Sequence, residues 1–160
     1  MSRRRADELV AWLGLEPHPE GGAFAEVFRS SRRVSVGGSE RSALTTIYYL
    51  LREGDVSRWH VVASDEVWHL YEGDGLELVT YDPRAEALEC VTLSRISDSE
   101  RAVHAVPAGL WQAARPLGDY VLAGCTVGPG FEYEDFRFVA DLPVHQPAFD
   151  GPLAAFRDLL

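Results

Sequence analysis

The stretch "GDVSRWHVVASDEVWHLYEGDG", residues 54–75, decides the fold of this chain. It reads as two short strands, "RWHVVA" and "EVWHLY", joined at the polar turn Ser64–Asp65 and bounded by glycines at both ends. Strand side chains alternate between faces, so His60 pointing inward takes Arg58 and Val62 with it. Glu66 pointing inward takes Trp68 and Leu70, and sends His69 to the other side. A histidine and a carboxylate on one interior face are an acid–base pair if they meet.

Outward from this hairpin the texture stays β. "AFAEVFRS" (23–30), "SALTTIYYLL" (42–51), "GLELVTYD" (75–82), "ALECVTLS" (87–94), "RAVHAVP" (101–107), "LWQAA" (110–114), "DYVLAGCTV" (119–127) and "FRFVADL" (136–142) are short and mostly bounded by Gly, Pro, Asp or Ser. About ten such segments without long helices between them predict an antiparallel sandwich or barrel over residues 22–140. In 42–51 the inward parity is open: Thr45, Ile47 and Tyr49, or Leu44, Thr46 and Tyr48. Leu9, Trp12 and Leu13 recur at helical spacing before Gly14, predicting a helix over 5–13. Pro152 opening "PLAAFRDL" predicts a closing helix over 152–159.

The chain has 160 residues, enough for one domain with its own core. Its net charge of −10 speaks against binding nucleic-acid polymers or anionic membranes, which attract cationic surfaces. All fifteen basic residues are arginine, which removes Schiff-base lysine chemistry and any phosphate-loop lysine. Cys90 and Cys125 are too few for a disulfide framework and lack zinc-site spacing, so they read as free thiols. Asp7 and Glu8 interrupt the apolar run after the N-terminal arginines, and no run approaches a membrane span of about 20 residues, so a cytoplasmic protein is expected.

The 54–75 stretch resembles the first sequence motif of the cupin superfamily. Gly54, His60, Glu66 and Gly73 fall on four of its positions, and Val62 stands where the pattern has a second histidine. "PAGLWQ" (107–112) is similar to the second motif, with Gln112 in the histidine slot. With "PHPEGG" (17–22), "TTIYYLL" (45–51), "SDEVWH" (64–69) and "PGFEYEDF" (129–136), nearly the whole chain resembles a branch of small single-domain cupins. The resemblance implies an all-β, cupin-type double-stranded β-helix, a jelly-roll barrel with short terminal helices. It also implies that Gln112, Leu110 and Ala114 face inward and Trp111 outward.

Metal-binding cupins use three histidines and a glutamate. Here those slots read His60, Val62, Glu66 and Gln112. Valine has no lone pair and an amide oxygen is a poor ligand for first-row metals, so no cofactor is expected. If a divalent metal binds, its ligands would be His60, Glu66 and Gln112. The expected activity is metal-independent proton transfer beside a carbonyl, as in cupins that epimerise nucleotide-linked keto-sugars. His60 is the expected base, with Glu66 holding its other ring nitrogen, and Tyr48, Tyr49 or Tyr133 as acid. Arg58, Arg29 and Arg41 would meet anionic groups, while Val62, Trp68, Gln112, Thr46 and Glu20 would touch the ligand. The alternatives are a noncatalytic small-molecule binder and a metal-dependent enzyme with an incomplete ligand set.

Three further expectations attach to loops and partners. "PHPEGG" reads as a loop that packs the first strand or covers a ligand. "GGSERS" (37–42) reads as a flexible turn, and "PGFEYEDF" as an alternating segment with glutamates on one face and aromatics on the other. Trp59, His69 and Trp111, once outside the lumen, need cover, and a homodimer is the expected source.

Overall fold

Where valine, isoleucine, threonine and aromatic residues dominate a segment, the chain forms strands. A computed structural model describes residues 2–143 and 149–160. One α-helix, α1 (Ser2–Leu13), precedes thirteen strands: β1 (Glu16–Pro17), β2 (Ala23–Arg29), β3 (Arg33–Val36), β4 (Ser39–Ser42), β5 (Thr45–Arg52), β6 (Ser57–Val62), β7 (Asp65–Gly73), β8 (Leu76–Asp82), β9 (Ala87–Leu93), β10 (Val103–Val106), β11 (Trp111–Pro116), β12 (Tyr120–Gly128) and β13 (Phe136–Phe138). Every segment read as a strand from sequence is one here, although "FRFVADL" keeps only its first three residues extended before a 3-10 turn over Val139–Asp141. "GGSERS" is not a loose turn: Ser39–Ser42 pairs with Arg33–Val36 in a two-stranded hairpin.

Two larger antiparallel sheets stack as a jelly roll. One has the order β1-β2-β5-β12-β7-β10, the other β13-β6-β11-β8-β9. Each is its own hydrogen-bonded ladder; the described strands do not join into one closed barrel. Between them lies the main core, built from Tyr49, Leu51, Trp68, Leu76, Leu78, Ala114, Val121 and Ala123. This settles the parity of β5. Thr45, Ile47 and Tyr49 face inward, whereas Tyr48 and Leu50 pack outward in the cluster that α1 covers with Ala6 and Leu9.

The outer face of the second sheet is covered by the chain's own C-terminus. Trp59, Val79, Tyr81 and Trp111 are buried against Val139, Phe149, Leu153 and Leu159. Trp59 Nε1 donates to the Phe156 carbonyl at 3.0 Å. The two tryptophans therefore need no second subunit, which removes the sequence argument that used them for a dimer. The closing helix is 3-10 rather than α, Pro152–Leu159, with Phe156 outside helical geometry at φ −119°. The irregular turn lets Leu153 and Leu159 both reach the sheet. Leu153 is fully buried, so Leu153→Ala should lower the unfolding free energy by about 2–5 kcal/mol in urea titration.

Candidate functional site

At one end of the jelly roll the two sheets part around a cavity of about 310 Å³. Its walls include His60 and Val62 from β6, Glu66 from β7, Thr45 and Ile47 from β5, and Cys125 from β12. Phe24, Glu26 and Arg29 come from β2, and His18 and Glu20 from the loop before it. Phe131, Glu132, Tyr133 and Phe136 close the rim. The rim segment does not keep the two-faced alternation expected from "PGFEYEDF". Tyr133–Asp135 form a 3-10 turn, which buries Phe136 and leaves Tyr133 exposed.

His60 is 2% exposed and stacks on Phe136. Its Nδ1 lies 2.7 Å from the Arg58 carbonyl and 3.3 Å from Glu20 Oε2. A carbonyl can only accept, so Nδ1 carries the proton and Nε2 keeps its lone pair. Among the described residues nothing bonds Nε2, and no fully buried polar side-chain atom there lacks a partner. That nitrogen therefore opens onto the cavity. The sequence reading gave Glu66 the task of holding the ring. The Arg58 carbonyl does so instead, with Glu20 Oε2 beside it at 3.3 Å because the "PHPEGG" loop folds inward.

Several bonds seat Glu20. Ser57 Oγ donates to its Oε1 at 2.9 Å, and the Arg58 amide donates to its carbonyl at 3.0 Å. Tyr49 Oη donates to the Gly21 carbonyl at 2.8 Å. Gly21 has φ +115°, and a Cβ there would collide with the Val56 carbonyl. The turn thus needs glycine both for its backbone conformation and for its fit against Val56, just before β6. Gly21→Ala should destabilise the fold by more than 1 kcal/mol in order of magnitude and displace Glu20. Loss of the Glu20-dependent environment of the His60 ring in NMR would check it.

Glu66 accepts from Gln112 Nε2 at 2.6 Å, and Gln112 Oε1 accepts from Trp68 Nε1 at 2.9 Å. Gln112 and Trp68 do face inward, but they lie beneath the cavity, holding Glu66, and are not among the residues that line it. Burial pushes the Glu66 carboxyl up to about 7, opposed by nearby His60. Burial also raises Glu20 and lowers His60 and His18, so both imidazoles favour the neutral form.

The same geometry tests the metal slots. Val62 packs with Val127 and Phe136, and the Gln112 oxygen is turned to Trp68. His60, Val62, Glu66 and Gln112 do not fit a metal centre, and neither does the reduced set without Val62. Among the described residues no three His, Cys, Asp or Glu side chains converge as metal ligands.

Other expected site residues separate. Thr46 faces outward, hydrogen-bonded to Thr126, and Tyr48 packs against Tyr71, since β5 took the other parity. Tyr49 is in the core, its hydroxyl used by Gly21. Arg58 shares the parity of His60 but leaves the lumen. Gln112 pairs with His60 and Ala114 with Ser57, so β6 carries a bulge that turns Arg58 outward. Its guanidinium sits 4.2 Å over the Phe138 ring. Arg41 is bound by Glu134 and Asp135 outside the cavity. Arg29 does line it, yet it is held by both Glu26 oxygens, Glu132 and the Phe131 carbonyl. Cys125 was not picked out as a site residue from sequence, Thr45 and Ile47 were one half of the open parity of β5, and His18 was read only as a polar residue of the "PHPEGG" loop. His18 had a signal in its place two residues before Glu20, but nothing local tied that loop to His60.

Comparison with known proteins follows the fold. A family model described as "Cupin superfamily (DUF985)" matches residues 7–139. A hypothetical protein from Leishmania major is 32% identical, with 91% of this chain and 94% of that one covered and a TM-score of 0.80. A protein from Shewanella oneidensis is also 32% identical, with 83% of each chain covered and a TM-score of 0.76. A dTDP sugar isomerase from Desulfovibrio desulfuricans shares the fold at 13% identity, covering 78% of this chain and 87% of that one, with a TM-score of 0.54. No match was found among curated proteins. A jelly roll with its cavity between the sheets, a family match over most of the length and two relatives at this identity together place the chain in the cupin superfamily, in its DUF985 branch.

Proposed function

We propose that this cupin is a metal-independent isomerase or epimerase that moves a proton beside the carbonyl of a small, sugar-like compound. The observation that carries the reading is the free Nε2 of His60, opening onto the cavity while its Nδ1–H is held by the Arg58 carbonyl, with Glu20 3.3 Å away. A neutral, oriented imidazole is a competent general base near pH 7. Glu66, with its carboxyl raised to about 7, and Tyr133 at the rim are the candidates for returning a proton. The distant sugar isomerase lends only its fold, so the reading rests on this chain's own side chains.

The lining favours an uncharged substrate over a nucleotide-linked one. Arg29 is the only arginine among the lining residues, its guanidinium is already committed to two carboxylates and a carbonyl, and four glutamates share the cavity. A phosphate would have to displace those partners. The test is proton NMR of aldoses, ketoses and their deoxy forms incubated with the protein in deuterium oxide. Enzyme-dependent loss of the signal beside the carbonyl supports the reading. A panel member that binds without exchange makes the protein a noncatalytic binder, and a stoichiometric metal in native mass spectrometry overturns the metal-free mechanism.

A homodimer belongs to the same proposal. With Trp59 and Trp111 covered internally, it rests on the exposed Tyr71 and Val103 of adjacent strands β7 and β10. Light scattering at micromolar concentration should give twice the chain mass, and the monomer mass would rule it out. Among the described residues no helix is long and apolar enough to cross a membrane.

A further inference from the structure

We infer that His18 is a second catalytic histidine, opposed to His60 in tautomer, and that it receives the carbonyl oxygen of the substrate. The inference rests on the proton-transfer reading above and names the partner group which that reading lacks.

Both rings line the one cavity, and both place Nδ1 toward Glu20, at 3.9 Å for His18 and 3.3 Å for His60. Their hydrogen bonds nevertheless run in opposite senses. At His60 a carbonyl faces Nδ1, so that nitrogen must donate. At His18 the Glu20 backbone N–H points at Nδ1 at 3.2 Å, so that nitrogen must accept. A neutral imidazole has one proton, and the bond at one nitrogen decides the other. His60 therefore offers a bare Nε2 to the cavity, and His18 offers Nε2–H.

The surroundings hold His18 in place. Its ring sits edge-on to Phe24 at 4.6 Å and tilted against Tyr49 at 5.3 Å. The turn that carries it is closed by His18 N–H to the Gly22 carbonyl and Gly21 N–H to the His18 carbonyl. Among the described residues no group bonds its Nε2, and no fully buried polar side-chain atom there lacks a partner, so that donor opens onto the cavity as well. A fixed acceptor and a fixed donor face the same small volume.

This is the polarity that enolisation requires. His60 Nε2 takes the proton from the carbon beside the carbonyl. The C–H pair becomes the C=C bond, and the carbonyl π pair moves onto oxygen. His18 Nε2–H donates a hydrogen bond to that oxygen and keeps its proton, since a neutral imidazole is a better donor than acid. Glu66 or Tyr133 then returns a proton to carbon as the oxygen pair closes the carbonyl again, and the His60 imidazolium gives its proton to solvent. In deuterium oxide the returned atom is deuterium, and no oxidant or reductant is consumed.

Two measurements test this. The first is long-range proton–nitrogen NMR of uniformly labelled wild-type protein at pH 7.5, with His18→Gln and His60→Gln spectra to assign the rings. Expected are an Nδ1–H pattern for His60 and an Nε2–H pattern for His18. The same tautomer at both rings, or a charged His18, overturns the inference whatever the activity. The second is deuterium exchange by His18→Gln on a compound that wild type exchanges. Its amide oxygen can still accept the Glu20 N–H. Exchange should drop by about 100-fold while His60 keeps its Nδ1–H pattern. Exchange at the wild-type rate overturns the catalytic role. Opposed tautomers with no exchange by wild type on any panel compound sink the proton-transfer reading and, with it, the role of His18. That result is distinct from a failure of the tautomer assignment itself.

Discussion

His60→Ala is expected to slow carbon-bound deuterium exchange by about 10²–10⁴-fold, the usual effect of deleting a general base. The cause is local. The substitution removes the one nitrogen whose lone pair opens onto the cavity while its partner nitrogen is held at 2.7 Å by a backbone carbonyl. The backbone of β6 remains paired with β11 and β13, so the cavity walls should persist. Thermal unfolding of the variant separates loss of chemistry from loss of fold. The wild-type rate should also fall at acid pH, with its inflection below the ordinary histidine value, because burial disfavours the charged ring. Exchange unchanged in a folded His60→Ala protein would end the proposal.

The second large effect concerns stability. Glu66 has an ordinary carboxyl value of 4.5 in the unfolded chain and about 7 in the fold. A raised carboxyl means that the native state binds more protons between those values. Stability from this group is therefore full below pH 4.5 and is lost as pH rises through 7. The shift corresponds to about 3 kcal/mol. Glu66→Gln cannot ionise and can still accept from Gln112, so it should be more stable than wild type by up to about 3 kcal/mol at pH 8. Near pH 4.5 the difference should vanish. Urea titrations at both values check this, and equal stabilities at pH 8 would refute it. The two lowered histidines act in the other sense, since their contribution is present above about 6.5 and lost as pH falls. The Glu66 slope should therefore be read as the difference between variant and wild type at each pH.

The fold was legible where the local code is redundant. Strand segments announce themselves through β-branched and aromatic runs cut by turn residues, and the inward placement of His60, Glu66 and Gln112 was implied by the resemblance to the cupin motifs, with a period of two assigning their neighbours. Where the period is broken, the reading failed. Arg58 was assigned inward by strict alternation, and one extra residue in β6 opposite β11 turned it out. Thr46 and Tyr48 were half of an open choice, because β5 carries large side chains on both faces and has no polar face to orient it. "PGFEYEDF" alternates only over Phe131–Glu134, and Tyr133–Asp135 is a turn whose acidic neighbourhood is tied to distant strands by Arg41 and Arg29.

The sequence by itself determined the β architecture, through residue types and neighbours one or two positions away, and its resemblance to the cupin motifs implied the inward histidine and carboxylate and the poverty of the metal slots. Only the tertiary structure decided that Glu20 sits beside His60, that His18 shares its cavity, and that the C-terminus covers Trp59 and Trp111. Glu20 lies forty positions before His60, and the C-terminal turn about ninety after it. Contacts at that range arise when sheets stack and loops fold inward, and no local periodicity encodes them.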